Sequence, residues 1–326
     1  MQSNNTKNSL ASADAFASKL HGILLPLPTP FHYSGDVDDA ALRANIAKWN
    51  TTGIAGHVLL GSTGERVNLD EREYLHIIEV ARAAVPGDLV FIAGAGQQST
   101  RTTIDEVKRA ASAGADAVLV LTPHFYRSAI TQAALVDHYL AVADAATVPV
   151  ILYSMPALTG IKIEPETVAR LSEHPNIIGI KDSSPDTDGL KETVRLCPES
   201  FAVLTGNGTV LRDALEAGAC GGILAVGCAV PEICLEVFRA FNSGENERAS
   251  ALQSKLTPLA AAVTTRFGIG GLKAALEMKG YVGGTVRAPL RAPDREAREE
   301  IRMLLAEVER VLNEVSTRSV EASLSA

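Results

Sequence analysis

One lysine stands where an amine is hard to keep charged. Lys181 directly follows the apolar run Ile177-Ile178-Gly179-Ile180, the mark of a strand buried on both faces. Desolvation disfavours an ammonium, and a neutral lysine amine is a nucleophile toward carbonyl carbon. At the ordinary lysine pKa of about 10.4, fewer than about one amine in a thousand is neutral at pH 7, so burial at such a place has chemical weight. The other reading is a lysine whose stem packs while its head snorkels to solvent. Position alone leaves both open. Lys162 also has isoleucine neighbours, but it alternates with them just beyond a turn and is expected to point outward.

Two further groups gain interest beside such an amine. Gly61-Ser62-Thr63-Gly64 follows another apolar run, and a tight turn with two hydroxyls and free backbone N–H groups can hold a carboxylate. It can equally be a plain strand-to-helix turn with a cap. Glu65, next in line, is either an acid for catalysis or a partner for a helix dipole. Tyr153 ends a third apolar run; it is a proton shuttle or a core tyrosine. No His/Asp/Glu set has metal-ligand spacing, HExxH, Walker-loop and GxSxG patterns are absent, and His124, His138 and His174 are scattered. No metal and no cofactor are expected, and a covalent route then needs the lysine.

The elements that must position these residues repeat along the chain. Short apolar runs lie at 22–27, 56–61, 89–94, 117–122, 149–153, 177–181, 201–206 and 221–226. They are continuous rather than alternating, as suits parallel strands covered on both faces. Amphipathic stretches lie between them, for example 70–85 and 102–114, several opening on Asp, Ser or Thr and closing near Gly. Eight such units predict an α/β fold, a closed (β/α)8 TIM barrel over residues 21–244. No GxGxxG opens a helix after the first strand, which disfavours an open dinucleotide-binding sheet. A helical extension is expected over 245–318, with a flexible N-terminal tail over 1–20 and a frayed tail over 319–326. In such a barrel, residues that follow the strands share one mouth.

The chain has 326 residues, is 46% hydrophobic and carries a formal net charge of −8. That acidity argues against nucleic acid or an anionic membrane as partner, though a pocket can still be locally positive. No apolar run approaches the ~20 residues needed to span a bilayer. The polar, Arg-poor start has no secretory pattern, and the four cysteines (Cys197, Cys220, Cys228, Cys234) show neither CxxC spacing nor nearby His ligands. A cytoplasmic chain with structural thiols is expected.

Taken together, GSTGE (61–65), the Tyr-x-x-Pro of LYSMPALTG (152–160) and GIKDSS (179–184) resemble the family of dihydrodipicolinate synthase and N-acetylneuraminate lyase, class I Schiff-base lyases that handle pyruvate. The resemblance spans residues 20–290. It implies that Lys181 forms an imine with a 2-oxo acid such as pyruvate and that Tyr153 relays protons. It implies that Ser62 and Thr63 hold the carboxylate, with Thr63 in the relay. It also implies that Gly206 lines the pocket and Ser183 touches the distal part of the substrate. Members are commonly homotetramers, and often lend a tyrosine across an interface from the loop after the fourth strand. The aligned place here is Phe125, which leaves Tyr126 as the candidate for that substrate contact.

Three positions bear on which reaction is implied. Synthases of the family carry Arg where this chain has Leu158, and sialic acid lyases carry an acidic pair where it has Gly208 and Thr209. The closest likeness is to 4-hydroxy-2-oxoglutarate aldolases, through LYSMPALTG (152–160), HPNIIGIKDS (174–183), AAVTTRFGIGGLK (261–273) and GYVGGTVRAPL (280–290). The expected reaction is metal-free retro-aldol cleavage of a 4-hydroxy-2-oxo acid to pyruvate and an aldehyde. The alternatives are a dihydrodipicolinate synthase-type condensation or cleavage of a 2-oxo-3-deoxy sugar acid or N-acetylneuraminate, and, more distantly, a non-catalytic pyruvate-binding barrel.

Overall fold

The continuous apolar runs become strands because each must cover two faces at once, a barrel lumen and a helical shell. In the computed structural model, which describes residues 16–324 and side chains as far as residue 314, eight parallel strands close in chain order into one barrel. They are β1 (Gly22–Pro26), β2 (Gly56–Leu59), β3 (Val90–Ala95), β4 (Ala117–Leu121), β5 (Val150–Ser154), β6 (Ile177–Asp182), β7 (Ala202–Thr205) and β8 (Gly221–Ile223). β1 pairs with both β2 and β8, which closes the cylinder.

The helices that follow the strands are α1 (Asp39–Trp49), α2 (Glu71–Arg82), α3 (Thr100–Ser112), α4 (Gln132–Ala145), α5 (Pro165–Ser172), α6 (Thr187–Leu196), α7 (Leu211–Glu216) and α8 (Pro231–Asn242). Their starts are written in the sequence. Asp38, Ser99, Thr131 and Asp186 cap α1, α3, α4 and α6 through side-chain oxygens. Asp70 and Glu73 form a reciprocal capping box on α2, with Glu73 N donating to Asp70 Oδ1 at 2.9 Å and Asp70 N to Glu73 Oε2 at 3.0 Å. Loss of such a cap typically costs about 1 kcal/mol.

Two apolar clusters divide the interior. Leu24, Val58, Ile92, Leu119, Ile151 and Leu204 fill the lumen, while Ile23, Leu25, Phe91, Val118 and Leu152, one residue away in each strand, face the helices. The period of two along a strand makes this division. Ala17 and Leu20 join the lumen cluster from the N-terminal side, Leu20 within a 3-10 turn at Ser18–Leu20. The expected loose tail therefore ends earlier than residue 20, because the open lower end of a barrel needs an apolar plug. The rest of that tail, residues 1–15, lies outside the described residues.

Past α8, three helices form the extension: α9 (Asn246–Ala261), α10 (Gly268–Met278) and α11 (Arg295–Leu324). A π-helical turn at Ala262–Arg266 joins the first two. The last helix is carried to Leu324, beyond the 318 boundary expected from sequence. The extension is fastened to α1: Asn45 exchanges hydrogen bonds with Val282 (2.8 and 2.9 Å), and Trp49 stacks on Tyr281 with ring centroids 5.0 Å apart. No helix among the described residues is long and apolar enough to cross a membrane.

Candidate active site

The position of Lys181 depends on one irregularity in β6. Val150 pairs with Ile177, but the next residue of β5, Ile151, pairs with Gly179, so Ile178 is an extra residue bulged into the strand. Ile178 lies in the lumen cluster, whereas Ile177 and Ile180 face the helices. Paired in regular register, without this bulge, Ile178 would sit beside Ile151 and Lys181 would fall beside Ser154 and turn outward. With it, Lys181 pairs with Tyr153, whose side chain faces the lumen. Bulges re-aim side chains in this way because one added residue inverts the alternation. Gly179 permits the distortion: a Cβ there would collide with the Ala202 carbonyl oxygen.

Lys181 and Tyr153 are each 4% exposed, and the Lys181 Nζ sits 4.4 Å from the centroid of the Tyr153 ring. The Tyr153 Oη shares a hydrogen bond with Ser62 Oγ at 3.3 Å, and Ser183 and Lys181 lie close enough to act on the phenol. Burial pushes the phenol up, but the Lys181 charge and these polar contacts outweigh it and hold it below its ordinary value. Gly206 completes the wall. Its N–H donates to Asp182 O at 2.6 Å, and a Cβ on it would come within 2.6 Å of Lys181 Cε and nearer still to Ser183 Oγ. The missing side chain is the space in which the lysine stem lies.

The hydroxyl turn is held in a costly shape. Ser62–Gly64 is a single 3-10 turn; Leu60 (φ 58°), two residues before it, and Glu65 (φ 56°), directly after it, are left-handed. Among the described residues they are the two non-glycine positions with positive φ. Each costs about 1–3 kcal/mol and persists only where surroundings enforce it. Here Thr29 Oγ1 donates to Gly64 O at 2.8 Å, and Glu65 N to Ser62 O at 3.2 Å. The Glu65 carboxylate is buried and accepts from Lys273 Nζ at 2.7 Å and from Arg287 N at 3.0 Å. Glu65 is thus the partner of a buried ammonium 208 residues away rather than of a helix dipole.

The structure brings Lys181, Tyr153, Ser62, Ser183 and Gly206 together. Thr63 is buried on the same turn, and the hydroxyl that reaches Tyr153 is that of Ser62. Tyr126 does not join them within one chain. It is 71% exposed on the loop after β4, edge-to-face with Phe125. Lys162 points outward as expected and bonds Asp186 at 2.8 Å. A cleft of roughly 350 Å³ opens beside Ser62 and Tyr153, and Arg66, Gln98 and His124 also line it. His124, one of the scattered histidines, therefore faces this cleft. Gln98 fixes the loop above it by accepting from His124 N (2.9 Å) and Phe125 N (2.8 Å). Nothing in the local sequence marks Gln98, Gly179 or Lys273, since their partners lie on other strands or on the extension.

Residues 19–308 match the model of the dihydrodipicolinate synthetase family. The chain is 35% identical over 294 residues to the 4-hydroxy-tetrahydrodipicolinate synthase of Haloarcula marismortui, covering 90% of this chain and 95% of that protein. The structure of the 4-hydroxy-tetrahydrodipicolinate synthase from Methylacidiphilum fumariolicum SolV is similar with a TM-score of 0.86 at 28% identity, over 91% of this chain and 99% of that one. A prophage protein of the family from E. coli K12, solved in complex with pyruvate, gives 0.83 at 29% identity, over 89% and 99%. The chain belongs to the dihydrodipicolinate synthetase family, whose enzymes are lyases that need no cofactor and use a lysine Schiff base with pyruvate.

Proposed function

We propose that this member of the dihydrodipicolinate synthetase family holds pyruvate as an imine on Lys181 and joins it to an aldehyde, as the 4-hydroxy-tetrahydrodipicolinate synthases that it is similar to are named for doing. The observation that carries the reading is the pairing of Lys181 with Tyr153 on adjacent strands, with the tyrosine hydroxyl on Ser62. The Lys181 amine adds to C2 of pyruvate, whose carboxylate rests on the Ser62–Thr63 turn. Tyr153 delivers a proton to the carbinolamine oxygen, and water leaves. The protonated imine draws electrons from C3, whose proton passes to the Tyr153 phenolate oxygen to leave an enamine and a reprotonated tyrosine. C3 then attacks the aldehyde carbon, the aldehyde oxygen takes a proton from Tyr153, and water hydrolyses the imine to free the product and Lys181. Ser183 lies toward the aldehyde end.

Run in reverse, the same steps cleave a 4-hydroxy-2-oxo acid, and one observation favours that second reading. Leu158, where the resemblance implies an arginine for the semialdehyde's carboxylate, is uncharged and 61% exposed. A cation does lie against this turn: Arg127, from the loop after β4, packs its guanidinium stem on Gly160 and makes no ion pair among the described residues. The names of the relatives favour the condensation over the 4-hydroxy-2-oxoglutarate cleavage expected from the sequence.

Borohydride reduction in the presence of pyruvate tests the shared chemistry. One added pyruvate unit on Lys181 is expected; no adduct, or an adduct elsewhere, refutes it. A rate panel of pyruvate plus aspartate semialdehyde, 4-hydroxy-2-oxoglutarate, N-acetylneuraminate and 2-oxo-3-deoxy sugar acids then separates the directions and substrates. The working assembly in this reading is a homotetramer with Tyr126 at an interface; a chain that sediments as a monomer with full activity removes that role.

A further inference from the structure

Glu65 and Lys273 form the most deeply buried ion pair among the described residues, and the chemistry above does not use it. Lys273 belongs to α10 of the extension and is 2% exposed; the Glu65 side chain is 0% exposed. Three donors surround the carboxylate. Lys273 Nζ donates to Oε1 at 2.7 Å, while Arg287 N (3.0 Å) and Asn68 Nδ2 (3.4 Å) donate to Oε2. The ammonium is engaged as fully: it donates to Thr285 O at 2.5 Å and lies 4.5 Å from the centroid of Phe31. A carboxylate so enclosed has no path for a proton to substrate. Nor does stability explain it well, since a buried ion pair is commonly no better than an apolar pair of the same volume.

What the pair does fix is the backbone of Glu65, in a left-handed conformation that a glutamate rarely adopts. The Glu65 N–H is bonded to Ser62 O, so a relaxation at Glu65 moves the hydroxyl turn. We infer that Glu65 and Lys273 are positioning residues for the carboxylate of the 2-oxo acid, and that the C-terminal extension serves the active site by clamping the Ser62–Thr63 turn from outside the barrel. The inference rests on the reading that this turn receives the pyruvate carboxylate.

The test uses the full chain, Glu65→Gln, and the double variant Glu65→Gln/Lys273→Met, which leaves no unpaired buried charge should the single variant fail to fold. Borohydride trapping is followed by intact mass against rising pyruvate and, separately, rising acetone, a ketone with no carboxylate. Displacement of a positioning group by about 1 Å is worth up to ~100-fold. The pyruvate concentration for half-maximal trapping is therefore expected to rise ~10- to 100-fold, with acetone trapping unchanged and the adduct still on Lys181. A folded variant with the wild-type pyruvate response overturns the role. So does an equal loss with both ketones, which is what a merely structural residue gives. A wild-type chain that forms no pyruvate adduct fails one step earlier: it refutes the Schiff-base reading itself and this role with it.

Discussion

Gly206→Ala puts the geometry of the lysine to a direct test. The added Cβ would lie 2.6 Å from Lys181 Cε and closer to Ser183 Oγ. Ordinary carbon–carbon contact begins near ~3.5 Å, so the lysine stem must retreat by about 1 Å. Lys181 is walled by the lumen and has little room to do so. Overpacking of this kind is expected to destabilise the fold by about 1–3 kcal/mol, and a 1 Å error at the nucleophile to slow imine formation ~100-fold. The assay is the rate of borohydride-trapped adduct at saturating pyruvate, alongside the melting temperature. Adding Ser183→Gly separates the two clashes. It relieves the hydroxyl contact and leaves the one with Lys181, so stability should recover while the trapping rate does not. A Gly206→Ala chain that traps pyruvate at the wild-type rate refutes the claim that the empty Cα of Gly206 makes room for the nucleophile.

Three other outcomes are expected. Lys181→Ala should give no reducible adduct and no turnover, whereas Tyr153→Phe should lower turnover ~10²- to 10⁴-fold yet still be trapped; a Tyr153→Phe chain with full turnover removes the relay. Arg127→Ala should raise KM for an aldehyde bearing a carboxylate more than for an uncharged one; equal KM changes rule Arg127 out as the cation for that carboxylate. Burial, aided by Arg82, pushes the His57 imidazole down to about 4, and burial pushes His138 down to about 4. Both are neutral when folded and protonate near 6.5 when unfolded. Their contribution is whole above pH 6.5 and fades as pH falls toward 4, by about 3 kcal/mol each. His57→Gln, which can keep the bond to Asn50, should flatten the fall in melting temperature between pH 7 and 4.5; an unchanged slope rules His57 out as a cause.

Much of the fold was legible because a strand covered on both faces cannot hide: it must be apolar at consecutive positions, and each of the eight runs became a strand. That same continuity concealed the bulge. A run such as Ile177-Ile178-Gly179-Ile180 has no polar residue on one face to show where the alternation inverts, so it places Lys181 at a strand end without saying which way it faces. Tyr153, Ser62, Ser183 and Gly206 converge as expected because residues after parallel strands share one rim. Thr63 and Tyr126 were harder. Which of two adjacent hydroxyls reaches the tyrosine depends on the left-handed residues at Leu60 and Glu65, and neither is a Gly or Asn that would announce such a conformation. The clamp on that turn joins residues 208 apart, and pairing over such a distance exists only once the barrel has closed.

The bulge in β6 has a consequence for how this molecule is compared with others. The strand is read in two frames, one for packing up to Ile178 and one for chemistry from Gly179 onward. A barrel that carried the same residues in the same order but paired β6 regularly, without the bulge, would present its amine to the helical shell. Inventory and even order of the reactive side chains would then be intact in a chain with no nucleophile in its mouth. For β6 the informative quantity is the register of its pairing with β5, which here shifts between Val150 and Ile151.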